Sequence, residues 1–145
     1  VSRVYLDTSA YLAILLGERH AHAILKALTY AMPCSSTLLL LEAERNLVHL
    51  VRLEKLSADD FESAIAQLMI DRDSFVLRDF TPELCLTRHF PLLRTPKSAD
   101  LIHLRTAQWF LANGGLDAFI TLDEQQRLAA RELGLNAPGS ELSTT

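Results

Sequence analysis

Cysteine is scarce in this chain: Cys34 and Cys85 stand alone in apolar surroundings, with no CxxC pair. That leaves no disulfide framework or thiolate zinc site to expect, and both read as reduced core residues. No apolar run approaches the roughly 20 residues needed to span a bilayer, so no membrane association is expected. Residues 1–6 lack the basic stretch, apolar core and small-residue cleavage site of a secretory signal, which makes the cytoplasm the expected location. The glycine signatures GxGxxG, GxxxxGK[ST] and GxSxG are missing as well, which removes the common dinucleotide, P-loop and nucleophile-elbow readings. Positive charge is also short, with 14 Lys and Arg against 18 Asp and Glu and a net charge of −4. A protein that coats nucleic acid normally shows the opposite balance. A nuclease stays open, because carboxylates that hold divalent cations contribute negative charge that the metals then offset.

What is present is ordinary for a globular protein: 145 residues, 49% hydrophobic and 22% charged. One domain is expected over 1–139, with 140–145 as a frayed tail. Short β-prone runs alternate with helical stretches. Arg3 to Asp7 is a strand, with Thr8 and Ser9 offering caps to a helix from about Ala10 to Gly17. A helix over His20 to Tyr30 precedes a buried strand over Met32 to Ser36, and another runs from Thr37 through Leu56. Ser57 opens a helix to Ile70, and Ser74 to Phe80 alternates as a strand should. Thr81-Pro82 starts a helix ending near Phe90-Pro91. Pro96 and Ser98 introduce a helix from Ala99 to Asn113, and Ala118 to Thr121 is a short apolar strand. The last helix opens at Asp123 and stops at Gly134, and Asn136 to Pro138 reads as a fragmentary fifth strand. This alternation predicts an α/β fold: a short parallel sheet of four to five strands flanked by helices, with any ligand at the carboxyl ends of the strands. Tyr11, Leu12, Ile14, Leu15 and Leu16 cover nearly every side of the first helix, more apolar surface than one sheet contact uses.

Four acids fall where such a ligand would sit. Asp7 ends the first strand, where it also suits the N-cap of the next helix. Glu42 lies early in its helix and shares a face with Arg45, Asn46 and His49, while Glu44 lies about 200° further round. Asp100 occupies the first turn of its helix, just after a possible cap at Ser98. Asp123, with Gln126 three residues on, matches a variant of the capping box. Each acid alone has a bland structural role. Together they would crowd one sheet edge, and carboxylates held that close raise one another's pKa unless cations neutralise them. Oxygen-only donors suit Mg²⁺ or Mn²⁺, and such ions promote phosphodiester hydrolysis. The five histidines are not at zinc spacing and read as surface residues. His103, three after Asp100 and on its face, is placed either to orient a carboxylate or to be exposed.

These residues resemble the PIN-domain nucleases and, more narrowly, the VapC-type toxins of bacterial toxin-antitoxin pairs. Four motifs carry the likeness in family order: Tyr5-Leu-Asp7-Thr-Ser9; Ser36 to Glu42-Ala-Glu-Arg45; Ser98-Ala-Asp100-Leu-Ile-His103; and Ile120-Thr121-Leu-Asp123. They span nearly the whole chain, closing on Ala-Arg-Glu-Leu-Gly-Leu at 130–135. The resemblance implies a PIN-like domain in which Asp7, Glu42, Asp100 and Asp123 are the catalytic, metal-binding acids, supported by Ser9 and Thr121. It also implies RNA cleavage leaving a 5′-phosphate, a homodimer, and a small antitoxin lying in a groove between early helices. Arg45, Arg94, Lys97 and Arg105 lie near the motifs and are the candidate phosphate contacts. A housekeeping RNA-processing enzyme and a non-catalytic partner-binding module are the rival readings. A haloacid-type phosphatase needs a second aspartate where Ser9 stands.

Overall fold

The computed structural model describes residues 1–86 and 97–139. Its elements, in chain order, are β1 (Arg3–Leu6), α1 (Thr8–Leu15), α2 (Ala21–Ala27), β2 (Met32–Ser36), α3 (Leu38–Arg52), α4 (Ala58–Arg72), β3 (Val76–Arg78), α5 (Pro82–Leu86), α6 (Ser98–Ala112), β4 (Ala118–Ile120) and α7 (Glu124–Glu132). The four strands form one parallel sheet in the order β3-β2-β1-β4. This is the α/β architecture expected, a short parallel sheet flanked by helices, with four strands. Asn136 to Pro138 is not a fifth: it meets the sheet through a single backbone bond, from Phe119 N–H to the Asn136 carbonyl.

Strand β1 is central, and the two-residue period of its side chains divides the core between the two sheet faces. Tyr5 points to one face, where it joins Cys34, Leu104, Phe110 and Phe119 beneath α6 and α7. Val4 and Leu6 point to the other, against Ala10, Ala13 and Ile24 of α1 and α2. The surplus apolar surface of α1 is largely used in packing, since Tyr11, Leu12 and Leu15 join Leu39, Ala43 and Leu68 of α3 and α4. Leu15 and Leu16 also line an open groove shared with Leu56, Ala64 and Gln67. Cys85 lies on the exposed surface of α5, so only Cys34 is the expected core cysteine. A five-residue helix turns too little of itself inward to bury both Leu84 and Cys85.

Helix starts follow local chemistry. Ser57 caps α4 by accepting from Asp60 N–H, and Thr81 accepts from Leu84 N–H ahead of Pro82. Helix α1 begins earlier than expected, at Thr8, because Asp7 supplies the cap. Ser98 is the first residue of α6, and Lys97 is its N-cap residue.

Arg3 latches β1 to the turn after α6, donating from Nε to Gly115 O at 2.9 Å and from Nη2 to Phe110 O and Asn113 O at 3.0 and 2.7 Å. Gly114 permits this approach. Its φ is +111°, and a Cβ there would lie 2.5 Å from Arg3 Nη2. We expect Gly114→Ala to lower the unfolding free energy by about 2 kcal/mol, combining an unfavourable φ with a displaced guanidinium. Gly17→Ala, where nothing lies within 4 Å, meets only the conformational cost at φ +64°. Urea titrations of the two variants measure the difference, and equal losses would show that the latch contributes nothing.

Candidate active site

Three of the four acids follow neighbouring strands. Asp7 succeeds β1, Glu42 lies in the helix after β2, and Asp123 comes three residues after the end of β4, while Asp100 stands in the first turn of α6. Because β1 lies between β2 and β4, their carboxyl ends adjoin, and the reversal of strand order beside β1 is where open parallel sheets leave a crevice.

Asp7 is buried, and its carboxylate is held on both sides. Oδ1 accepts from Ser9 Oγ at 2.7 Å and from Ala10 N at 3.1 Å, and Oδ2 accepts from the Thr121 hydroxyl. Ser9 Oγ and Thr121 Oγ1 in turn accept from the backbone N–H groups of Leu122 and Asp123 at 2.9 and 3.1 Å. The two supporting residues thus stitch the end of β1 to the segment carrying Asp123. Burial pushes the Asp7 carboxyl above its ordinary range, against the lowering influence of His103, Thr121, Ser9 and the Ala10 amide.

Glu42 is half-buried, with Oε1 accepting from Thr8 Oγ1 at 2.8 Å and lying 2.6 Å from His103 Nε2. Burial raises its pKa, but His103, Thr8 and Arg45 together bring it below the ordinary value. Ser36, six residues earlier, receives Leu38 N–H on its hydroxyl and so starts the helix that carries Glu42. Glu44 is exposed and lines a separate groove with Leu41, Met69 and Arg72, as the helix period requires.

Asp100 is partly buried, and its carboxyl is pushed up by that burial and by the charges of Asp123 and Glu42, despite a bond from the Lys97 backbone and the field of His103. Asp123 is exposed and caps α7, its Oδ1 accepting from the N–H groups of Gln125 and Gln126 at 2.9 and 3.2 Å. Gln126 is buried and donates from Nε2 to Asp100 O at 3.2 Å, which ties the first turns of α6 and α7 together. Its Oε1 has no hydrogen-bond partner among the described residues.

His103 corrects the reading of the histidines as surface residues: it is 2% exposed and sits beneath the acids, with Nδ1 2.7 Å from the Tyr5 hydroxyl. Thr8 and Tyr5 join it there, although nothing in their local sequence marks them as partners of a histidine. Spacing places His103 on the face of Asp100, but the partners that bury it come from β1, α1 and α3.

Of the candidate phosphate contacts, Arg45 is exposed and acts on Glu42 from the same helix face. Lys97 is exposed at the start of α6. Arg105 turns toward α5, donating to the carbonyls of Leu84 and Cys85. Arg94 and the tail at 140–145 lie outside the described residues.

Among the described residues no three His, Cys, Asp or Glu side chains are grouped closely enough to hold a metal ion as they stand. The donor chemistry nonetheless suits a hydrated cation. Glu42 Oε2 and Asp123 Oδ2 receive no hydrogen bond from a described residue, and Asp100 is crowded by like charge that a cation relieves. Mg²⁺ in particular binds through one or two carboxylates and keeps several waters, so a closed protein cage is not its usual site. Among the described residues, no helix is long and apolar enough to cross a membrane.

No protein-family model matches the chain, and no curated protein sequence matches it. In structure it is similar to the crystal structure of PAE2754 from Pyrobaculum aerophilum, with a TM-score of 0.55 and 18% identity over 98% of this chain and 88% of that one. At that identity the likeness shows the fold alone.

Proposed function

We propose that this chain is a metal-dependent endoribonuclease of the PIN-domain kind, and that it serves as the VapC-type toxin of a toxin-antitoxin pair. The observation that carries the reading is that Asp7, Glu42 and Asp123 follow the adjoining strands β1, β2 and β4, while Gln126 ties the first turn of α6, which bears Asp100, to α7. Asp7, Glu42, Asp100 and Asp123 would hold Mg²⁺ or Mn²⁺. Such a cation supplies positive charge to a phosphodiester and lowers the pKa of an attacking water. The chain's own residues hold the acids at fixed angles: Ser9 and Thr121 fix Asp7, Thr8 and His103 fix Glu42, and Gln126 holds the turn bearing Asp100. Arg45 and Lys97 border that edge as cations for the RNA backbone. The groove lined by Leu15, Leu16, Leu56 and Ala64 suits an apolar antitoxin segment, and a homodimer completes the proposed assembly.

Incubating the purified protein with structured RNA in Mg²⁺ or Mn²⁺ tests the reading. Cleavage is expected to leave 5′-phosphate ends and to stop when a chelator removes the cation. Undiminished cleavage in excess chelator, or intact RNA with both metals, would reject it. A short neighbouring reading frame encoding a DNA-binding protein separates the toxin from a housekeeping RNA-processing enzyme.

A further inference from the structure

Tyr5 is fully buried in the central strand, its ring stacked on Phe119 at 5.2 Å and 10° and tilted against Phe110 at 6.3 Å. The phenol hydroxyl lies 2.7 Å from His103 Nδ1. The nearby hydroxyls of Ser35 and Thr106 already donate to the carbonyls of Leu6 and Ile102, both at 2.7 Å. On the other side of the imidazole, Nε2 lies 2.6 Å from Glu42 Oε1 and 3.2 Å from Thr8 Oγ1. A carboxylate only accepts, so a bare Nε2 at that distance would oppose two lone pairs. Nε2 must therefore carry a hydrogen, and in the neutral ring Nδ1 then accepts from the Tyr5 hydroxyl. Thr8 Oγ1 donates to the same Glu42 oxygen at 2.8 Å.

We infer that Tyr5 and His103 form a positioning relay, Tyr5 O–H to His103 Nδ1 and His103 Nε2–H to Glu42 Oε1, that fixes Glu42 so that Oε2 alone is offered to a divalent cation. This rests on the proposed metal-binding role of Glu42. Both donors on Oε1 come from residues buried beneath the site, and Oε2 receives no hydrogen bond from a described residue. Glu42 would therefore offer a cation one oxygen free of hydrogen bonds from the described residues. His103 and Tyr5 touch neither cation nor RNA, and act by orienting Glu42 and restricting its rotation. Outer partners of this kind commonly change metal affinity by about 10- to 100-fold when removed.

The experiment reads Mn²⁺ affinity by calorimetry and the imidazole proton by nitrogen NMR, neither of which needs RNA cleavage. In the metal-free wild-type chain, His103 is expected to carry its hydrogen on Nε2 and none on Nδ1. His103→Leu is expected to weaken Mn²⁺ binding about 10- to 100-fold, and His103→Gln, whose amide N–H reaches toward Glu42, to recover part of that loss. Tyr5→Phe keeps the buried ring and removes only the hydroxyl, so it covers the case in which His103→Leu does not fold. It is expected to shift affinity in the same direction by less. A proton on Nδ1, or Mn²⁺ affinities of folded His103→Leu and Tyr5→Phe within twofold of wild type, would overturn the relay while leaving the metal site standing. A wild-type chain that binds no Mn²⁺ would reject the metal site and the relay together.

Discussion

Asp7→Asn is expected to lose RNA cleavage by at least about a hundredfold, roughly 3 kcal/mol of transition-state stabilisation, while the chain stays folded. The substitution suits the local geometry. An asparagine Oδ1 still accepts from Ser9 and Ala10, and the new amide faces a Thr121 hydroxyl that can rotate to accept. What is lost is the charge that would attract a cation. Stability moves the other way in metal-free protein. Burial raises the folded-state pKa of Asp7 above the ordinary 3.8, so the native form keeps a proton at pH values where the unfolded chain has released it. Ionised Asp7 therefore costs stability above that raised value. The cost fades as pH falls through it toward 3.8. At neutral pH and without metal, Asp7→Asn should melt at least as high as wild type, and its advantage should shrink on acidification. Added Mg²⁺ should raise the wild-type melting temperature by mass action and leave the variant unmoved. Wild-type cleavage rates in Asp7→Asn would sink the proposed chemistry. A variant that melts far below wild type would show instead that the carboxylate is there to hold the fold.

The second large effect falls on stability. Phe119 is fully buried, paired with Tyr5 across the ladder between β1 and β4 and stacked on its ring. Phe119→Ala leaves a cavity at the centre of the sheet and is expected to cost about 3–5 kcal/mol. A domain of this size has roughly 7–20 kcal/mol in all, so the transition should move far down a urea titration. The single tryptophan, Trp109, stands edge-on to Phe110 and reports that transition by fluorescence. Phe80→Ala, at a side chain 52% exposed, is the control and should change stability by no more than about 0.5 kcal/mol. Equal losses in the two variants would contradict the core assignment.

Local patterns accounted for most of the elements. The Ser57 cap, the Thr81-Pro82 start and the Gly134 stop act over a few residues, and the structure keeps all three. Boundaries drifted where alternation outran hydrogen bonding. Residues 74–80 alternate, yet only Val76–Arg78 joins the ladder. Among site residues, Asp7 and Asp123 each combine the expected acid with the bland role of a cap. The helix period puts Glu42 and Glu44 on different faces, and they lie in different surroundings in the structure. His103 could not be read the same way. Its partners Tyr5, Thr8 and Glu42 lie 98, 95 and 61 positions away, and a window along α6 shows only a polar residue among apolar ones.

The long reach from β1 to β4 has a further effect during synthesis. Thr121 and Asp7 are 114 positions apart, and β4 pairs directly with β1. A nascent chain can make β1, α1 and β2 early, yet Asp7 lacks its Thr121 partner until residues around 118–123 have left the ribosome. Until then the acids belong to separate stretches of polymer with no shared field. Closing so large a loop is slow compared with forming the helices around it. Whatever this edge of the sheet does, it does only after nearly all of the described chain has been made.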